Sequence, residues 1–129
     1  MTSKLLRVAF AVSLAEGWAA PDVGNQGPEG TVSYRLHNPG NLRVSEYEAG
    51  NTGQFAIFNN DLEGFMALVR QLEIIATGKE AAYGDNCTIE QAVVIYTADR
   101  DPSPELESYL QTIEQVGGVK RTDLISTIV

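Results

Sequence analysis

Near the start of the chain, apolar residues recur at helical spacing. Leu6, Ala9, Phe10, Ser13, Leu14 and Gly17 fall on one stripe, and Leu5, Val8, Val12 and Ala15 on the adjoining one. The pattern predicts a buried first helix that ends near Gly17. Residues 19–32, "AAPDVGNQGPEGTV", are rich in Gly and Pro and read as loop. The runs "GNLRVSEY" and "GQFAIFNN" predict two short strands, with "EAGNTG" supplying the turn of a β-hairpin. Asn60 followed by Glu63 predicts a capping box for a second helix, whose Leu62, Phe65, Met66, Val69, Leu72 and Ala76 repeat on one face before Gly78 stops it. Thr88 with Gln91 repeats the pattern and starts a third helix with Ile89, Ala92, Val93 and Tyr96 inward. "DRDPSP" breaks that helix. Ser103 as cap and Pro104 at the first helical position open a fourth, carrying Leu106, Leu110 and Ile113 inward as far as Gly117-Gly118. A short last helix is expected from Asp123. With no internal repeat or linker, the sum is a single α+β domain over residues 1–129, mostly helical, with a small hairpin beside a helical lobe.

Length and charge narrow the function. A chain of 129 residues supports one core. Its formal charge of −8, with scattered Lys and Arg, lacks the basic footprint of a nucleic-acid binder, so no such partner is expected. Cys87 and His37 are each the sole residue of their type, which leaves no intrachain disulfide and too few ligands for a zinc site. No metal or other cofactor is expected. Lys4 and Arg7 ahead of "VAFAVSLAEG" superficially resemble a secretory signal, but Arg7 interrupts the apolar run and a retained helix is the expected reading. The run is also too short to cross a membrane, so insertion is not expected.

The residue with most chemical promise is Glu16, at the end of the most apolar helix and directly before Gly17 and Trp18. A carboxyl partly desolvated beside an indole has a raised pKa, in the range useful to a general acid. The plainer alternative is a solvated residue in a last helical turn. Glu63 also precedes a glycine, but a place in a capping box already accounts for it.

The order "LAEGW", a Gly/Pro-rich loop, "SYRLHNPGNLR", a hairpin ending in "FAIF" and then "NNDLEGFMAL" resembles the small phage and bacterial muralytic domains of the lysozyme-like superfamily. Such domains look like lytic transglycosylases and goose-type lysozymes reduced to a core. The likeness continues through "VVIYTADRDPSPELESYLQTIEQVGGV" and so covers nearly the whole chain. It implies a lysozyme-like fold and a glycan cleft between the helical lobe and the hairpin. It also implies Glu16 as catalytic acid, acting on the β-1,4 bond between N-acetylmuramic acid and N-acetylglucosamine in peptidoglycan. A phage virion or delivery to the periplasm or cell wall, with virion or tail components as partners, is the setting the resemblance implies. A module with the same fold that binds peptidoglycan or builds a virion without turnover is the alternative, because fold does not dictate function.

Around that acid several residues are candidates for holding substrate. Asn38 and Asn41 flank a Pro-Gly turn; each amide either satisfies local backbone or meets sugar hydroxyl and acetamido groups, with Asn38 the more structural of the two. Arg35 and Arg43 read as orienting partners, although either could meet a carboxylate of a peptide stem. Tyr34, Tyr96 and Tyr109 are candidate stacking residues for pyranose rings, whereas Trp18 reads as packing and His37 as incidental. A hydrolytic outcome requires a second carboxylate. Asp22, Glu29, Glu46 and Glu48 are the candidates; an anhydro-forming outcome requires none.

Overall fold

The computed structural model describes residues 1–18, 31–98 and 103–129. It is an α+β structure dominated by helices, with one two-stranded antiparallel sheet. Helix α1 (Ser3–Ala15) forms the centre of the core, packed chiefly against α5 (Pro104–Gly117) and also against α3 (Asp61–Ala76). Thr2 caps it by accepting a hydrogen bond from the Leu5 N–H at 3.0 Å, and the same hydroxyl donates to the Ile128 carbonyl. Leu5, Val8, Ala9, Ala11 and Val12 are buried, so both predicted stripes contribute. The outer members do not: Leu6 and Phe10 are exposed. Helices α3 and α5 cover a narrower arc of α1 than its apolar residues span, and the margins face water.

Helix α3 forms only half of the predicted capping box: Asn60 Oδ1 accepts from the Glu63 N–H at 2.9 Å, but the Glu63 side chain does not reach back to the Asn60 N–H. Its buried face is rotated from the expected one. Gly64, Ala67, Leu68, Val69, Leu72, Ile75 and Ala76 point inward, while Leu62 is 70% exposed and Met66 is exposed too. Helix α4 (Ile89–Thr97) carries the full capping box, Thr88 with Gln91, and buries Ile89, Ala92 and Val93. Ser103 caps α5, which starts at Pro104 and ends where Gly118 takes a left-handed φ of 67°. The tail then returns to α4: Ile89 N–H and Ile125 N–H bond to Asp123 and Cys87 carbonyls at 2.9 Å each, and a 3-10 turn spans Ile125–Ile128. No helix among the described residues is long and apolar enough to cross a membrane.

The hairpin differs from expectation. Residues 41–49 form no strand, and pairing is confined to β1 (Gly50–Asn51) with β2 (Ala56–Ile57), so part of the expected turn is strand. Side chains explain the shift. Asn51 donates to the Arg43 carbonyl at 2.8 Å and to Glu48 at 2.9 Å, folding the segment before it into a side-chain-tied loop, and Val44 is left 73% exposed. A short helix, α2 (Val32–Arg35), capped by Thr31, leads into the turn.

These elements converge on the Asn38–Asn41 turn. Asn38 is fully buried; its Nδ2 donates to Leu42 and Ala56 carbonyls at 2.9 Å each, and its Oδ1 accepts from the Leu42 N–H at 2.9 Å. Three bonds from one buried amide leave no polar atom of that side chain unmet, which is why it can be buried. The turn lies against α3 at Gly64, where an added Cβ would stand 1.9 Å from the His37 carbonyl oxygen. It lies against Leu68 and Tyr96 at Gly40, and the Tyr96 hydroxyl donates to the Gly40 carbonyl.

Candidate active site

Glu16 is the C-terminal cap of α1, and its backbone is fixed on every side. Trp18 N–H returns to the Ser13 carbonyl at 3.1 Å and Gly17 N–H to Leu14 at 3.0 Å, with Gly17 at a φ of 82°. The Ser33 hydroxyl donates to the Glu16 carbonyl at 3.0 Å and the Thr31 hydroxyl to the Gly17 carbonyl at 2.9 Å. The carbonyls that a helix end leaves unmet therefore find partners on α2 and its cap.

The Glu16 side chain meets two donors from distant elements. Asn41 Nδ2 donates to Oε1 at 3.0 Å, and the Tyr109 hydroxyl on α5 donates to Oε2 at 2.8 Å. Burial raises the carboxyl pKa above the ordinary range; the bonds from Asn41 and Tyr109 act the other way and are outweighed. Tyr96 and Tyr109 are themselves pushed well above the usual phenol range, first by burial and then by the charge of Glu16. Both stay protonated as donors.

Glu16, Asn41, Tyr96 and Tyr109 line one cavity of about 340 Å³, together with Gly40, Arg43, Phe55 and Glu105. Of the residues expected at the site, four of the five are thus brought together, and Tyr34 is not. It sits exposed on α2, away from this lining. Tyr96 and Asn41 face the cavity while also doing structural work, Tyr96 through Gly40 and Asn41 through Glu16. Asn41 holds a left-handed φ of 49°, and its Oδ1 is buried without a hydrogen-bond partner.

The remaining candidates fall elsewhere. Trp18 Nε1 donates to Asp61 Oδ1 at 3.2 Å, and His37 Nδ1 lies 2.9 Å from the same oxygen, so both tie the end of α1 and the turn to the first turn of α3. Glu48 is engaged by Asn51, and neither it nor Glu46 lines the cavity. Asp22 and Glu29 lie outside the described residues. Among the described residues, the carboxylate that does share the cavity with Glu16 is Glu105, in the first turn of α5. In sequence it looks like any acidic residue of a first helical turn, and no local signal distinguishes it. A larger hollow of about 810 Å³ opens between α4 and α5, but the two charged groups in its described lining, Glu90 and Glu107, both face Arg121. Its walls are mainly apolar, and size alone does not make it the reactive site.

An acid whose pKa burial raises, open to a cavity and flanked by donors that would receive its conjugate base, is suited to proton donation. No family model, curated protein or solved structure matches this chain.

Proposed function

We propose that the protein cleaves peptidoglycan at the β-1,4 bond between N-acetylmuramic acid and N-acetylglucosamine, with Glu16 as general acid on a lysozyme-like fold. The observation that carries this reading is the Glu16 carboxyl, raised by burial yet opening on the cavity. Glycosidic cleavage needs a protonated carboxyl beside the leaving oxygen, and the resemblance of the chain to muralytic domains supports the same residue. Once the proton has left, Asn41 and Tyr109 donate to the carboxylate, and such charge-assisted bonds stabilise the ion formed during the reaction.

Mass spectrometry of the fragments released from purified peptidoglycan tests the reading. Anhydro-muramic ends correspond to Glu16 acting alone, with the sugar's own 6-hydroxyl as nucleophile. Reducing ends call for a second carboxylate, for which Glu105, sharing the cavity, is the first to test by substitution. No fragments at any pH would remove the enzyme reading and leave a binding or structural module.

The pH profile gives a second test. Glu16 acts while protonated, so release is expected at low pH and is lost as pH rises through the elevated Glu16 pKa. Asn41→Ala and Tyr109→Phe each remove a donor to the ionised form, so the alkaline limb moves to higher pH in both. The maximal rate falls roughly tenfold, the scale of one hydrogen bond to a charged group. A limb that stays in place in both variants would count against Glu16 as the titrating acid.

A further inference from the structure

We propose that Arg43 is the anion anchor of the Glu16 cavity, binding a carboxylate of the ligand beside the acid; this rests on the reading of the cavity as a glycan site. The backbone at Arg43 is fixed from both sides. Leu42 N–H is held by the buried Asn38 amide, and the Arg43 carbonyl receives Asn51 Nδ2. The guanidinium carbon lies 5.6 Å from the centroid of the Phe55 ring, and both residues line the cavity. A cation–π contact with a ring takes up none of a guanidinium's N–H groups, which stay available in the fork geometry that matches a carboxylate.

Charge bookkeeping within the chain strengthens the assignment. The protein has 17 acidic residues against nine basic ones, yet no carboxylate among the described residues forms an ion pair with Arg43. Arg121 is engaged by Glu107 and Glu114, and Arg70 by Glu73, whereas Lys4, Arg7, Arg35, Lys79 and Lys120 form no ion pair among the described residues either. What sets Arg43 apart is its place: among the described residues it is the only cation of its cavity, whose acids are Glu16 and Glu105. A neutral sugar polymer gives such a cation nothing to pair with. A muramyl glycan does, through either the lactyl carboxylate or the carboxylates of a peptide stem.

Three probes separate these sources: N-acetylglucosaminyl-N-acetylmuramic acid with its lactyl carboxylate free, the same disaccharide carrying a stem peptide, and neutral chitobiose. Dissociation constants are measured by NMR titration for wild type and Arg43→Ala. Wild type is expected to bind at least one acidic probe about tenfold more tightly than chitobiose, and Arg43→Ala to erase that preference while leaving chitobiose unchanged. The favoured acidic probe identifies the carboxylate. Equal affinity of wild type for all three, no measurable binding of any, or a preference that survives in Arg43→Ala overturns the proposal. Fragment release from peptidoglycan by the same two proteins is scored separately. Release without a carboxylate preference sinks the anchor and leaves cleavage standing, whereas a preference without release sinks cleavage and leaves the anchor.

Discussion

Glu16→Gln is expected to slow the release of peptidoglycan fragments by about a thousandfold, within the range that a positioned general acid contributes. The amide matches the carboxyl in shape: its oxygen still accepts from Asn41, and its NH2 donates to the Tyr109 oxygen in place of accepting from it, so the cavity is preserved while the transferable proton is lost. Stability should move the opposite way. Because burial raises the Glu16 pKa in the folded protein, the folded state favours the protonated form more than the unfolded chain does. The stability this group contributes is full below the ordinary carboxyl range and is lost as pH rises through the elevated value. The neutral amide escapes that loss, so Glu16→Gln melts at a higher temperature than wild type at neutral pH, and the gap closes in acid. Parallel assays of release and thermal unfolding across pH check both halves. A variant that keeps activity within tenfold of wild type would place the acid elsewhere.

Gly64→Ala is expected to destabilise the protein by about 3 kcal/mol, at the upper end of ordinary overpacking. Helix propensity alone predicts the reverse, since alanine is favoured over glycine in a helix interior by about 1 kcal/mol. Sterics decide the sign. The new methyl would stand 1.9 Å from the His37 carbonyl oxygen and 2.8 Å from Pro39 Cδ, and a backbone oxygen cannot rotate away as a side chain can. Helix α3 and the Asn38–Asn41 turn must separate, which displaces Asn41 from Glu16. A fall in melting temperature of roughly 10 °C is expected for a domain of this size. Gly50→Ala serves as control, because its added Cβ meets only Ile57 at ordinary contact distance. If Gly64→Ala melts with wild type, the close approach of α3 to the turn is not what holds the cavity wall.

Helix starts were legible because their signals are local. Thr88 with Gln91, Asn60 before Asp61 and Ser103 before Pro104 act through hydrogen bonds three residues away, and all three caps form. The faces of those helices were less so. Leu62 and Met66 belong to the apolar face of α3 by spacing, but the neighbours that would cover them lie on the other side. The first strand failed for a related reason, although the second contains β2: alternation predicts extended chain over residues 40–47, whereas the Asn51 side chain captures the Arg43 carbonyl and closes a loop. Glu16 could be singled out from its helix end and its apolar surroundings. Asn41 and Tyr109 are legible as candidate site residues, but their bonds to Glu16 are not, for Asn41 lies 25 residues away and Tyr109 lies 93. The same distance hides the meeting of Arg43, Phe55 and Glu105 around the acid.

The packing of α1 against α5 has a consequence for biosynthesis. During translation the first helix emerges with Leu5, Val8 and Val12 uncovered, and its main partner follows only after some ninety residues more have been made. Contacts that span nearly a whole chain are slow to close, because the intervening loop must be ordered first. The Glu16 carboxyl gains its Tyr109 donor in that same late event. Assembly of the acid site therefore reports completion of the core: a nascent chain stalled before α5 lacks both.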